Sequence, residues 1–319
     1  MGNDTKEAGS GITRLQGLTV QPNTAMAELV SEQSKLELFA GQFRFTEGPV
    51  WDRRLNRLLV SDMHADAVYS LSDHSRITLR SPSGGANGMA LDAQGRLLAC
   101  EGKSRRVTRL EPNGEITVLV SHFEGKTLNS PNDLICDPRG AIYFTDPRGS
   151  RHRSETGFSG VFRISPKGSV QLLANDFELP NGLCFSLDRS RLYINDSVLR
   201  HIRIFDHDAD GNIKNGRIFF EGIGGGRMDL SRPDAFRLGH PDGMKIDERD
   251  NVYCTGPGGI WIISPAGTYI GKIPVPPPIR VRNFCFGGVG NKQLYICAGD
   301  EETGALVYRL PMLVAGGGL

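Results

Sequence analysis

NDLICDPRGAIYFTDP, residues 132–147, carries the pattern on which the fold turns. A polar pair leads into the apolar run LIC. A Pro-Arg-Gly turn follows, and then a second run of β-formers, AIYFTD, that ends on aspartate. Two more such runs come next, GVFRIS at 160–165 and SVQLLA at 169–174, each set off by turn residues. Four short strands joined by tight turns read as an antiparallel meander.

The pattern recurs. EGPVWDRRLNRLLVSD begins at Glu47, NGMALDAQGRLLACEG at Asn87, NGLCFSLDRSRLYIND at Asn181, DGMKIDERDNVYCTG at Asp242 and NFCFGGVGNKQLYICAG at Asn283. Four of the six units open their turn with an aspartate: Asp92, Asp137, Asp188 and Asp247. Successive heads lie 40, 45, 49, 61 and 41 residues apart. A period in the forties with four strands per unit predicts an all-β, six-bladed β-propeller. The WD dipeptide of one common propeller class is missing. The last unit offers only three strands, near 283–286, 294–298 and 305–310, while LELFA at 36–40 has no unit of its own. That N-terminal strand is expected to complete the last blade, which leaves no open edge. The expected organisation is an N-terminal tail over 1–33, flexible or with one short helix, a propeller over 34–312 and a C-terminal tail over 313–319.

Composition narrows the partners. Among 319 residues, 37 Lys and Arg face 36 Asp and Glu, a formal charge of +1. A general nucleic-acid or membrane-surface binder needs a positive excess, so neither partner is expected. No run of 18 apolar residues exists and the first residues lack an apolar signal core, which predicts neither a membrane span nor a secretory leader. None of the six cysteines sits in a CxxC pair, and five lie in or beside apolar runs. They read as buried free thiols of a reducing, cytoplasmic compartment. A monomer or a small homo-oligomer is expected.

The heads start the innermost strands, so Glu47, Asn87, Asn132, Asn181, Asp242 and Asn283 should ring one mouth of the central channel. Asparagine and aspartate are ordinary turn residues. Glu47 is a poor one, yet it holds the matching place. Two carboxylates and four amides, with no Lys, Arg or His among them, form a ring of hard oxygen donors. Such a ring suits one divalent metal ion, Ca²⁺ first, with Zn²⁺, Mn²⁺ or Mg²⁺ as alternatives.

The motifs TEGPVW (46–51), NSPNDL (129–134), YFTDP (143–147), LPNGL (179–183), HPDGM (240–244) and GPGGIW (256–261) carry a resemblance. Over roughly 36–310 the chain resembles the senescence marker protein, gluconolactonase and luciferin-regenerating enzyme family, with the bacterial-type gluconolactonases nearest. The resemblance implies a metal held by Glu47, Asn181 and Asp242, with Asp242 also the catalytic base. It implies that Asn132 touches substrate or metal-bound water, and Asn129 in the same motif is a further substrate candidate. Animal members carry an arginine two residues before Asn132; here that place holds Ser130.

The expected reaction is therefore hydrolysis of a lactone ring, foremost a sugar lactone such as glucono-1,5-lactone. The alternatives are another ester or organophosphate hydrolase on the same scaffold, of paraoxonase or fluorophosphatase type, or a non-catalytic ligand-binding propeller. No GxSxG elbow supports a serine hydrolase. His64, after LLVSD, and His240, two residues before Asp242, should lie on the active face as substrate contacts or proton shuttles. Two long inserts, RGSRHRSETGFS (148–159) and MDLSRPDAFRLGH (228–240), should overhang the mouth. The first brings Arg148, Arg151, His152 and Arg153 as candidate contacts for an anionic or polyol substrate. DHDADG (206–211) lacks the terminal glutamate of a calcium-binding helix–loop–helix and reads as a plain turn, and GIGGGR (222–227) lacks the Lys-Ser/Thr of a phosphate loop.

Overall fold

A computed structural model describes residues 25–149, 153–232, 234–275, 277–300 and 304–317. Six four-stranded antiparallel sheets stand around a channel as the blades of a propeller. The innermost strands are Thr46–Asp52, Ala86–Leu91, Leu134–Cys136, Pro180–Phe185, Met244–Ile246 and Arg280–Gly287. In the first five blades the strands follow chain order from the inside out. A short hairpin of His122–Phe123 and Lys126–Thr127 stands outside them.

The sixth blade is completed from the other end of the chain. Glu37–Phe43 pairs antiparallel with Gly304–Pro311 as its outermost strand. The orphan LELFA run thus closes the ring as expected. Around this junction the two ends of the chain meet. Met26, Leu29 and Val30 are buried in one cluster with Leu36, Phe284, Ile296 and Tyr308. The N–H of Leu313 donates to the Leu29 carbonyl at 2.9 Å. Asp247 of the fifth blade makes an isolated bridge to Gly316.

Blade stacking explains the composition of each strand. A second strand has a blade packed on either face, so alternation vanishes: Leu97–Glu101, Ile142–Asp146 and Val252–Gly256 are buried throughout. The outermost strands meet water, and Ser75–Arg80 is exposed along most of its length. Apolar clusters fill the gaps between neighbouring blades. Leu98, Cys100 and Val107 of the second blade pack on Leu134, Phe144 and Phe162 of the third. Trp51 stacks on Tyr295 across the first and sixth blades, ring centres 5.1 Å apart.

All six cysteines are free; five are buried and Cys136 is half-buried. Burial pushes the Cys184 and Cys285 thiols up to about 12, so they stay protonated and unreactive. No helix among the described residues is long and apolar enough to cross a membrane.

Candidate functional site

The six heads meet in a closed ring, and the glycines beside them show how. A methyl group on Gly48 would stand 2.0 Å from the Asn87 carbonyl oxygen, and one on Gly88 2.7 Å from that of Asn132. One on Gly182 would stand 2.1 Å from the Asp242 carbonyl oxygen, and one on Gly243 2.1 Å from Asn283 Oδ1. These four glycines are therefore contact points between neighbouring blades. Thr145 joins the remaining neighbours. Its carbonyl accepts the Asn132 N–H at 2.8 Å and its hydroxyl donates to the Asn181 carbonyl at 2.9 Å. Asn283 Nδ2 donates to Glu47 Oε2 at 3.1 Å and completes the circle.

A second device sets three of the heads at the right height. The aspartate ending the second strand accepts the two backbone N–H groups that lie three and two residues before the head. Asp62 accepts from Arg44 and Phe45 ahead of Glu47, at 2.8 and 2.9 Å. Asp146 accepts from Asn129 and Ser130 ahead of Asn132, at 2.8 and 2.7 Å. Asp196 accepts from Glu178 and Leu179 ahead of Asn181, at 2.7 and 3.2 Å. Charge-assisted bonds of this kind hold irregular backbone more firmly than neutral ones. The fifth blade substitutes Thr255, whose Oγ1 accepts the Asp242 N–H at 2.8 Å and donates to the His240 carbonyl at 3.1 Å.

The chemistry concentrates on three heads. Glu47 is buried, and its carboxyl is pushed up to about 8, first by burial and then by the charge of Asp242. Asp242 is held by Thr255 on its N–H and by Asn195 Nδ2 on its carbonyl at 2.7 Å. Asn181 donates Nδ2 to Ser197 Oγ at 3.1 Å, and that hydroxyl donates to the Pro241 carbonyl at 2.6 Å. The Asn181 amide is thereby locked with Oδ1 on the other side, and that oxygen is buried with no hydrogen-bond partner among the described residues. A buried acceptor left unpaired is costly, and so are two carboxylates repelling in a place shut off from water. A hard dication relieves both at once. Among the described residues no group of three or more His, Cys, Asp or Glu is arranged for a metal; this set mixes two carboxylates with an amide oxygen. It fits a cation that takes oxygen donors.

The other sequence candidates distribute unevenly. His240 joins the site: Nε2 lies 3.4 Å from Asp242 Oδ2, Nδ1 is buried without a partner among the described residues, and Phe236 of the long insert packs edge-on at 4.9 Å. His64 is exposed and lies 4.7 Å from Phe45, two residues before Glu47. The Asn132 side chain is half-buried at the ring. Asn129 is a scaffold residue here. Its Nδ2 donates to the carbonyls of Asp146 and Phe158, and its Oδ1 accepts from Thr156. Arg148 is exposed and donates to the Gly157 carbonyl at 3.4 Å within its own loop. Arg151 and His152 lie outside the described residues.

Several members carried no signal in their own segments. Arg282 is buried with its guanidinium 4.0 Å from the Phe45 ring, and neither Nε nor Nη1 has a partner among the described residues. Burial, then the nearby Arg280, lowers its pKa. Asp133 and Lys245 also reach the channel: the Lys245 charge acts on Asp133, and the Asp133 charge on Glu47. Only the glycine after four of the six heads hinted at close approach between blades.

A six-bladed propeller with an oxygen-lined channel mouth defines the class. The chain belongs to the SMP-30/gluconolactonase/LRE-like family, whose model matches residues 45–300. It is 31% identical over 292 residues to the gluconolactonase of Zymomonas mobilis, covering 85% of this chain and 80% of that one. The pentonolactonase of Haloferax volcanii is 25% identical over 303 residues, covering 86% and 92%. Among solved structures, a gluconolactonase from Xanthomonas campestris superposes with a TM-score of 0.77 at 30% identity, covering 94% of this chain and 99% of that one.

Proposed function

We propose that this protein hydrolyses the ring of a sugar lactone, foremost glucono-1,5-lactone, at the channel mouth, with one divalent cation held by Glu47, Asn181 and Asp242. Two observations carry the reading: Asn181 Oδ1 is buried with no partner among the described residues, and the Asp242 charge helps push the Glu47 carboxyl up to about 8. The gluconolactonase and pentonolactonase relatives support the substrate class. Ca²⁺ is the first candidate for the cation because every donor is an oxygen. When bound, it polarises the lactone carbonyl and stabilises the charge that develops on its oxygen.

The chain's own residues do the rest. Asp242 takes the proton of the attacking water and returns one to the ring oxygen as the acyl–oxygen bond breaks. Its backbone is pinned on both sides, so the carboxylate does not drift from the mouth. His240 Nε2, 3.4 Å from Asp242 Oδ2, steadies that carboxylate and shares its proton traffic. Asn132 and His64 contact the sugar hydroxyls. The six free thiols support a cytoplasmic place.

A pH-stat assay on glucono-1,5-lactone tests the reading. Turnover should vanish with EDTA and return with added Ca²⁺, and Asp242→Asn should lower kcat by ~10²-fold or more. Full turnover after complete metal removal would defeat the proposal.

A further inference from the structure

The two oxygens of Glu47 are not equivalent. Oε2 accepts the Gly48 N–H at 3.0 Å and the Asn283 Nδ2 at 3.1 Å. Oε1 has no hydrogen bond among the described residues. A carboxylate with one oxygen tied to two donors presents the other in a fixed direction. The direction depends on which way round the Asn283 amide sits, since a carboxamide offers NH₂ on one side and an acceptor on the other.

That choice is made from deeper in the channel. Asn283 Oδ1 accepts the Phe284 N–H at 2.9 Å and lies 3.5 Å from Lys245 Nζ. With two donors on its oxygen side, the amide turns its NH₂ toward Glu47. Lys245 is itself held. Nζ donates to the Met244 carbonyl at 3.0 Å and stands 6.0 Å from the centre of the Phe284 ring. Asp133, buried on the third blade, feels the Lys245 charge and the influence of the Asn283 amide. Room for the amide comes from Gly243, where a methyl group would stand 2.1 Å from Asn283 Oδ1. Four blades therefore converge on one side-chain orientation.

We infer that Asn283, oriented by Lys245, is the positioning residue that reserves Glu47 Oε1 for a cation. The inference rests on the metal site proposed above. Neither residue touches the cation; they act through Glu47, as outer partners of metal ligands commonly do. Charge alone predicts the opposite for Lys245. An ammonium near the site repels a dication, so its removal should tighten binding if it had no orienting role.

Calorimetric titration of the full chain with Ca²⁺ separates the two. Asn283→Leu should weaken binding ~10–100-fold. Lys245→Met should weaken it too, in spite of the lost repulsion. Added to Asn283→Leu, Lys245→Met should cause no further weakening, because the link it served is already broken. Circular dichroism and Tm verify folding, and Asn283→Ser replaces the leucine variant if that does not fold. Equal or tighter binding by Lys245→Met, or additive losses in the double variant, overturns the relay and leaves the metal site standing. A wild-type chain that binds no Ca²⁺, Zn²⁺, Mn²⁺ or Mg²⁺ overturns both.

Discussion

Gly182 stands beside Asn181, and its Cα has no room for a neighbour: a Cβ there would lie 2.1 Å from the Asp242 carbonyl oxygen and 3.0 Å from Asn195 Nδ2. The backbone of the fifth blade cannot retreat, because Asn195 and Thr255 hold Asp242 on both sides. Gly182→Ala should therefore cost about 1–3 kcal/mol of stability, the usual range for overpacking. It should also weaken cation binding at the proposed site, since the strain falls between Asn181 and Asp242. Urea unfolding with a Ca²⁺ titration checks this, and an unchanged midpoint with unchanged affinity would show that the blades can part there. In the sequence this glycine is only the residue after the head Asn181. The local reading could not see that the crowding partner lies 60 residues downstream, on another blade.

The strand-ending aspartates act at the level of the element. Asp146 clamps the backbone ahead of Asn132, and burial pushes its carboxyl up to about 6 from an ordinary 3.8 in spite of the two N–H bonds it accepts. Well below pH 3.8 the group is protonated in folded and unfolded chains alike, and stability does not change with pH on its account. As pH rises from 3.8 to about 6 the unfolded chain ionises first, so the folded state loses stability over that window, and past 6 the loss is complete. The loss should be on the order of 1–3 kcal/mol. Asp146→Asn should abolish this part of the pH dependence, seen as a flatter plot of unfolding free energy between pH 4 and 7. A variant whose plot parallels the wild type would place the proton elsewhere. The strands themselves were legible, since VSD, FTD and IND each close a run of β-formers. Their clamping role was not, because the partner amides belong to loops 16 to 18 residues upstream.

Closure is a property of the whole molecule. Glu37–Phe43 is the last strand of a ring that begins at Thr46 and ends at Pro311. Without it, Gly304–Pro311 becomes an open edge and the Phe43 packing against Leu58, Tyr295 and Val307 is lost. Deleting residues 37–43 should lower Tm by ~10 °C or more and promote association through the bared edge. Scanning calorimetry and light scattering measure both, and a deletion variant as stable as the full chain would show that the ring closes by other contacts.

The sequence by itself determined the six-fold repeat, the four strands per blade, the closing strand and the oxygen-rich heads. All of these follow from local alternation, turn chemistry and a period that can be counted along the chain. Tertiary structure decided which donors face one another: the unpaired Oδ1 of Asn181, the raised carboxyl of Glu47, the buried Arg282, and the Lys245–Asn283–Glu47 chain. It also moved Asn129 from the candidate substrate contacts into the scaffold. These depend on which side chains the folded chain brings together, from Asn181 and Ser197, 16 residues apart, to Asn283 and Glu47, 236 apart, and on side-chain rotation within a channel, neither of which a one-dimensional pattern records.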